Sequence, residues 1–172
     1  MSVLKVLYYP DDPLTQKADP VEKFDRKLEE LIVNMIETMH EYKGVGLAAP
    51  QVGLRKRVFV LQEDSESEPM YFINPLIEEM DGSEAGEEGC LSMPEIYGDV
   101  NRATYLRLTA QDLDGNPYEM EVEGFLARVI QHEYDHINGI MFPERLDIIT
   151  RQDKYLEWAV VRERMIAESE DL

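Results

Sequence analysis

Residues 124–139 read GFLARVIQHEYDHING, and the way this stretch folds decides how the rest must be arranged. Its apolar residues fall at helical spacing, and Gly139 stands where such a helix would stop. On a helix, His132 and His136 lie four residues apart on one face, where two imidazoles can share a metal ion. Glu133, beside the first histidine, projects at the rim of that site. There it can take a proton from metal-activated water and pass it to a leaving amine. The chain holds only three histidines, and two of them fall here with the glutamate between them. H-E-x-x-H is specific but short, so the competing reading is a pair of ordinary helix histidines.

Working outward, the same helical spacing occurs near the start. Phe24, Leu28, Leu31, Ile32, Met35, Ile36 and Met39 form an amphipathic stripe, with Asp19 placed as N-cap, Pro20 in the first turn and Gly44 as the stop. RVFVLQ (57–62) and MYFINPLI (70–77) read as strands separated by the polar EDSESE loop. In TYLRLTAQDLDGNPYEMEVEG (104–124), Leu106, Leu108 and Ala110 alternate with polar residues. Asp114-Gly115 turns the chain, and Tyr118, Met120 and Val122 bring it back as a hairpin. A last helix is expected over QDKYLEWAVVRERMIAE (152–168). The expected class is α+β: antiparallel strands packed around a central helix bearing H-E-x-x-H, with an N-terminal and a C-terminal helix.

Composition narrows the function classes. The 172 residues suit one domain over 1–172, with enough chain to bury a core. A single cysteine excludes an internal disulfide. The opening MSVLKVLYYPDDP lacks a basic region followed by a long apolar run, and no stretch is apolar enough to span a membrane. A cytoplasmic protein is expected. The net charge of −19 argues against direct binding to nucleic acid. The acidic runs EDSESE and AESEDL read as a solvated loop and a terminus.

Two histidines leave a zinc-like ion short of a third protein ligand. Downstream, Glu144, Glu157 and Glu163 are available, as a zincin-like endopeptidase would require. Upstream lies Cys90, in EGCLS (88–92). A thiolate is a strong anionic ligand for ferrous iron or zinc, and a metal would keep it deprotonated. Gly89 lets the backbone approach closely, and a loop between strands would swing the sulfur over the helix. The residues alone leave Cys90 as either this ligand or a buried structural cysteine. GVGLAAPQVG (44–53) is neither a dinucleotide fingerprint nor a P-loop. Its Gln51 offers a carboxamide to a developing oxyanion, but a helix cap followed by a turn explains the segment equally well.

Together, GVGLAAPQ, EGCLS and QHEYDH, in this order and at these separations, closely resemble the three signature motifs of the peptide deformylase family. The opening VLYYPDDPL, the first helix, the hairpin and the length also resemble a bacterial member, so the resemblance covers nearly the whole chain. It implies that Cys90, His132 and His136 bind one catalytic metal, usually Fe2+, with Zn2+ or Ni2+ able to substitute. It implies Glu133 as general acid/base, with Gln51 and the backbone N–H of Leu91 holding the formyl oxygen. The reaction implied is hydrolysis of the N-formyl group from the initiator formyl-methionine of nascent polypeptides, with release of formate, during co-translational processing. Val45, Gly46, Gly89, Tyr97, Phe125 and Val129 are the expected substrate-binding residues.

Three positions depart from the family pattern. Arg128 stands where many members carry an apolar residue, Gly86 replaces a bulkier one, and Tyr97 stands where some relatives have arginine. Either the pocket is more open, or the Arg128 stem lines its wall with the guanidinium outward. The last helix mixes both charges and ends acidic, so any ribosome association is expected to be weak. A non-catalytic acidic binding module on the same fold is the remaining alternative.

Overall fold

The computed structural model describes residues 2–170; Met1 and the end of the acidic tail, Asp171 and Leu172, lie outside them. In chain order come helix α1 (Arg26–Glu41), strands β1 (Gly46–Ala48), β2 (Val58–Leu61), β3 (Met70–Asp81), β4 (Glu84–Cys90), β5 (Met93–Arg102), β6 (Tyr105–Gln111) and β7 (Pro117–Glu123), then helices α2 (Gly124–Ile137) and α3 (Ile148–Glu170). Five strands form one antiparallel sheet in the order β1-β2-β3-β6-β7, while β4 and β5 form a separate hairpin.

Four consecutive apolar residues make β2, and all four are fully buried. The alternation of a strand explains why no polar residue interrupts them. Val58 and Val60 face a cluster containing Met35 and Met39 of α1. Phe59 and Leu61 face the cluster containing Ala127, Ile130 and Ile137 of α2. Phe59 pairs with Phe72 of β3, their rings stacked at 4.9 Å. The sheet is thereby pinned between two helices, and the histidine-bearing helix has one apolar face committed to it. The expected hairpin forms as β6 and β7, with Leu106 opposite Val122, Leu108 opposite Met120 and Ala110 opposite Tyr118. A third cluster, with Met93, Ile96, Phe142 and Trp158, seats α3 against the β4–β5 hairpin.

Several boundaries differ from the sequence expectation. Helix α1 begins six residues after Pro20, because Asp25, not Asp19, is the N-cap: its Oδ1 accepts from Leu28 N–H at 3.1 Å. Asp19 is held extended by backbone bonds to Arg55 and Arg57. At the other end Lys43 takes the left-handed conformation, and Gly44 serves a different purpose, since a Cβ there would stand 2.8 Å from Leu91 Cδ1. GVGLAAPQVG contains the short strand β1 and a 3-10 turn over 49–52 where a plain turn was the simpler reading. Gly139 does end α2, with φ +76°. The hairpin of β4 and β5 was not anticipated, and α3 is longer than expected at both ends.

Candidate metal centre

Cys90 is the last residue of β4, followed by the two-residue turn Leu91-Ser92 that leads into β5. This turn carries the sulfur over α2, where His132 and His136 stand one turn apart. Cys90 Sγ lies 3.3 Å from His136 Nε2, which lies 3.2 Å from His132 Nε2. All three donor atoms fall within 4.8 Å of one another, and among the described residues this is the group of such donors able to hold an ion. Two imidazole nitrogens this close share at most one proton, so a further cation suits the geometry better than hydrogen bonding does. A sulfur with two imidazoles fits a divalent first-row metal of borderline softness. Glu133, whose Oε1 is buried and without a partner among the described residues, lines the same cleft as Cys90 and His132.

The surroundings orient these groups. His132 Nδ1 donates to Glu88 Oε1 at 2.8 Å, which turns the lone pair of Nε2 toward the cluster. Glu88 also accepts from Arg102 through two bonds, at 2.8 and 2.9 Å, and from Arg128 at 2.8 Å. Burial would raise the Glu88 carboxyl, but the bonds and charges of Arg102 and His132 bring it down to about 2. On the far side Arg102 bonds Asp135 at 2.7 Å, and Arg145 closes the chain of charges on the same carboxylate. The Cys90 sulfur accepts from Ser92 N–H at 3.4 Å and from Gln51 Nε2 at 3.6 Å. Gln51 is fixed by Ala48 N–H on its oxygen and by Ser92 Oγ near its nitrogen. Burial pushes Glu133 up to about 7. Burial and the neighbouring His132 hold His136 well below the ordinary imidazole value. Burial acts the same way on His132, but Cys90 and Glu88 outweigh it and raise that ring.

A cleft of about 580 Å³ opens onto this cluster. Val45, Gly46, Gln51, Gly89, Cys90, Leu91, Tyr97, Phe125, Val129, His132 and Glu133 all line it, and His136 is buried against the Cys90 sulfur. Val45, Tyr97 and Phe125 are exposed on its rim and Val129 is buried within it. Gly46 has a steric reason: a Cβ there would stand 2.6 Å from Glu133 Oε2. Gly89 likewise makes room for the ring of Tyr97. Leu91 packs its side chain into the cluster under α1. The alternative third ligands Glu144, Glu157 and Glu163 do not join the donor group, and two of them are engaged elsewhere: Glu144 with Tyr155 and Arg151, and Glu157 with Lys154. Arg128 departs from expectation, because its guanidinium turns in toward β4 and β5 and not out to solvent.

The chain as a whole has counterparts among known proteins. The polypeptide deformylase family model matches residues 3–152. The chain belongs to the polypeptide deformylase family. A peptide deformylase of Chromobacterium violaceum is 50% identical over 153 residues, covering 88% of this chain and 92% of that one. The solved peptide deformylase of Thermus thermophilus superposes with a TM-score of 0.89 at 42% identity, covering 96% and 99% of the two chains. That of Legionella pneumophila gives 0.88 at 39%, covering 95% and 98%. The family consists of metal-dependent hydrolases, which fits the Cys90, His132 and His136 group.

Glu88, Arg102 and Asp135 went unassigned in the sequence. The signal for Glu88 is readable in retrospect: a ligand histidine needs an acceptor for its other nitrogen, and residue 88 shares a strand face with Cys90. Replacing Glu88 by Gln keeps the shape and removes the charge. It should weaken binding of added Zn2+ by about 10- to 100-fold, measured by chelator competition. An unchanged affinity would contradict the role given to this carboxylate.

Proposed function

We propose that this protein hydrolyses the N-formyl group from the initiator formyl-methionine of nascent polypeptides, using one divalent metal ion held by Cys90, His132 and His136. Fe2+ is the ion that suits the mixed sulfur and nitrogen set, with Zn2+ or Ni2+ able to substitute. The observation that carries the reading is the meeting of these three donors beside a buried, unpartnered Glu133 oxygen at the floor of an apolar cleft. When bound, the ion supplies Lewis-acid activation of water and of the formyl carbonyl.

The chain's own residues do the rest. Glu133 takes the proton of the attacking water on its carboxylate and delivers it to the departing amine nitrogen. Gln51 Nε2 and the Leu91 backbone N–H donate to the formyl oxygen as charge builds on it. Gly46 and Gly89 let the peptide backbone lie close, Val45, Phe125 and Val129 receive the methionine side chain, and Tyr97 covers the rim. A small formyl group suits a site where Gly46 stands too close to Glu133 for even a Cβ. The endopeptidase alternative lacks support, since none of Glu144, Glu157 and Glu163 belongs to the donor group around His132 and His136.

We read residues 1–172 as one cytoplasmic domain. Trp158 of α3 is buried and donates to Tyr9 O at 2.8 Å, tying the helix beyond the family match back to the N-terminal segment. No helix among the described residues is long and apolar enough to cross a membrane. Ribosome association is weak in this reading. All four cations of α3 are paired with acids: Arg151 with Glu144, Lys154 with Glu157, Arg162 with Asp11 and Arg164 with Glu95. Little positive charge is left for RNA phosphates, and direct nucleic-acid binding is not expected.

Two outcomes follow. The protein purified anaerobically should release formate from formyl-Met-Ala-Ser, and Glu133→Ala should lose at least about 100-fold in rate while keeping its metal. No release by the unaltered protein with a full metal complement would sink the proposal. Co-sedimentation with ribosomes should be weak and nearly unchanged between about 50 and 200 mM salt. Tight, salt-sensitive association would overturn the reading of α3.

A further inference from the structure

Helix α2 and strand β4 face each other along the cleft in matched steps. Residues 128, 132 and 136 lie a turn apart on α2, and residues 86, 88 and 90 lie on one face of β4. The inner pairs form the metal centre, His136 against Cys90 and His132 against Glu88. The outermost pair is Arg128 with Gly86. A Cβ at position 86 would stand 2.8 Å from Arg128 Cζ and 3.0 Å from Nε and Nη2, so the guanidinium fills the place of a side chain there.

The guanidinium is fixed in that place. Nη1 donates to Glu88 Oε2 and to Val100 O, both at 2.8 Å, and Nη2 donates to Glu84 O at 2.6 Å. A longer contact from Nη1 reaches Gly86 O at 3.4 Å. Nε–H has no acceptor among the described residues and is not among the buried unpartnered atoms. Arg128 lines the same cleft as Phe125 and Val129, which supply hydrocarbon. The wall of the pocket beside the metal centre therefore includes a positioned cation with donor capacity left over, next to apolar side chains; Arg128 also borders a second, smaller pocket of about 200 Å³ lined by Gly86 and Glu84.

We propose that Arg128 is a specificity-determining residue that gives the pocket for the first side chain a polar, donating end. The inference rests on the deformylase reading of the site. The class of first residue it favours is unbranched, with hydrocarbon near the backbone and a hydrogen-bond acceptor toward the tip. Methionine sulfoxide is the member of that class nearest to methionine. Its stem packs on Phe125 and Val129, and its oxygen accepts from the guanidinium. In a pocket walled only by hydrocarbon the same oxygen loses its water and gains no partner, which costs about tenfold in affinity.

The test compares kcat/KM for formate release from formyl-methionine, formyl-methionine sulfoxide and formyl-norleucine peptides that share an Ala-Ser tail. It uses the unaltered protein, Arg128→Met, and Gly86→Val combined with Arg128→Met, which refills the wall so that loss of β4 support does not decide the outcome. The sulfoxide-to-norleucine ratio should fall about tenfold in both variants, mainly through KM. Dissociation constants of the deformylated sulfoxide and norleucine peptides, measured by calorimetry, should shift by the same factor without any turnover. A ratio unchanged in either folded variant overturns the proposal. If the unaltered protein releases no formate even from formyl-methionine, the deformylase reading fails, and the binding ratio still decides for or against Arg128.

Discussion

Glu88 is a buried carboxylate whose two oxygens are shared among Arg102, Arg128 and His132. Taking that charge out of water is costly, and only the close, hydrogen-bonded cations offset the cost. They also join three elements at one point, because Glu88 belongs to β4, Arg102 ends β5, and Arg128 and His132 lie on α2. Cys90 follows Glu88 by two residues on the same strand face, so whatever fixes Glu88 against α2 also fixes the sulfur against the two imidazoles. Arg102 extends the same logic to Asp135, which neighbours His136 and is held from the other side by Arg145. The metal centre is thus built on a chain of alternating buried charges, and removing one member leaves the next uncompensated.

Close approach is the second constraint. Gly46 and Gly89 stand where a single added carbon would strike Glu133 or Tyr97, and Gly44 does the same for Leu91. These glycines let the segment after α1, the tip of the β4–β5 hairpin and helix α2 come within contact of one another. The Glu133 carboxylate can then sit beside both the cluster and the cleft.

Much of this was legible in the residues. The helical spacing over 124–139, the hairpin over 104–124 and the strands over 57–62 and 70–77 follow from residue pattern, and the fold class follows from their order. The donors Cys90, His132 and His136 do meet, although spacing alone placed only the two histidines. What was not legible depended on partners distant in sequence. The β4 segment, EAGEEGC, is polar and rich in glycine, so it carries no strand pattern; it is held by pairing with β5 and by Arg128 and Arg102. Asp19 stands before Pro20 as a cap would, but backbone bonds to Arg55 and Arg57 hold it extended, and Asp25 caps the helix in its place. For Arg128 the sequence leaves open a wider pocket or an outward guanidinium, and neither shows that backbone carbonyls and Glu88 offer it acceptors inside the fold.

If one ion is shared by a β4 thiolate and two α2 imidazoles, X-ray absorption at the metal edge of the zinc-loaded protein will report it. The spectrum should show one sulfur neighbour at about 2.3 Å and two imidazole nitrogens at about 2.0–2.1 Å, with the sulfur lost in Cys90→Ala. A shell of nitrogen and oxygen alone in the unaltered protein would contradict it.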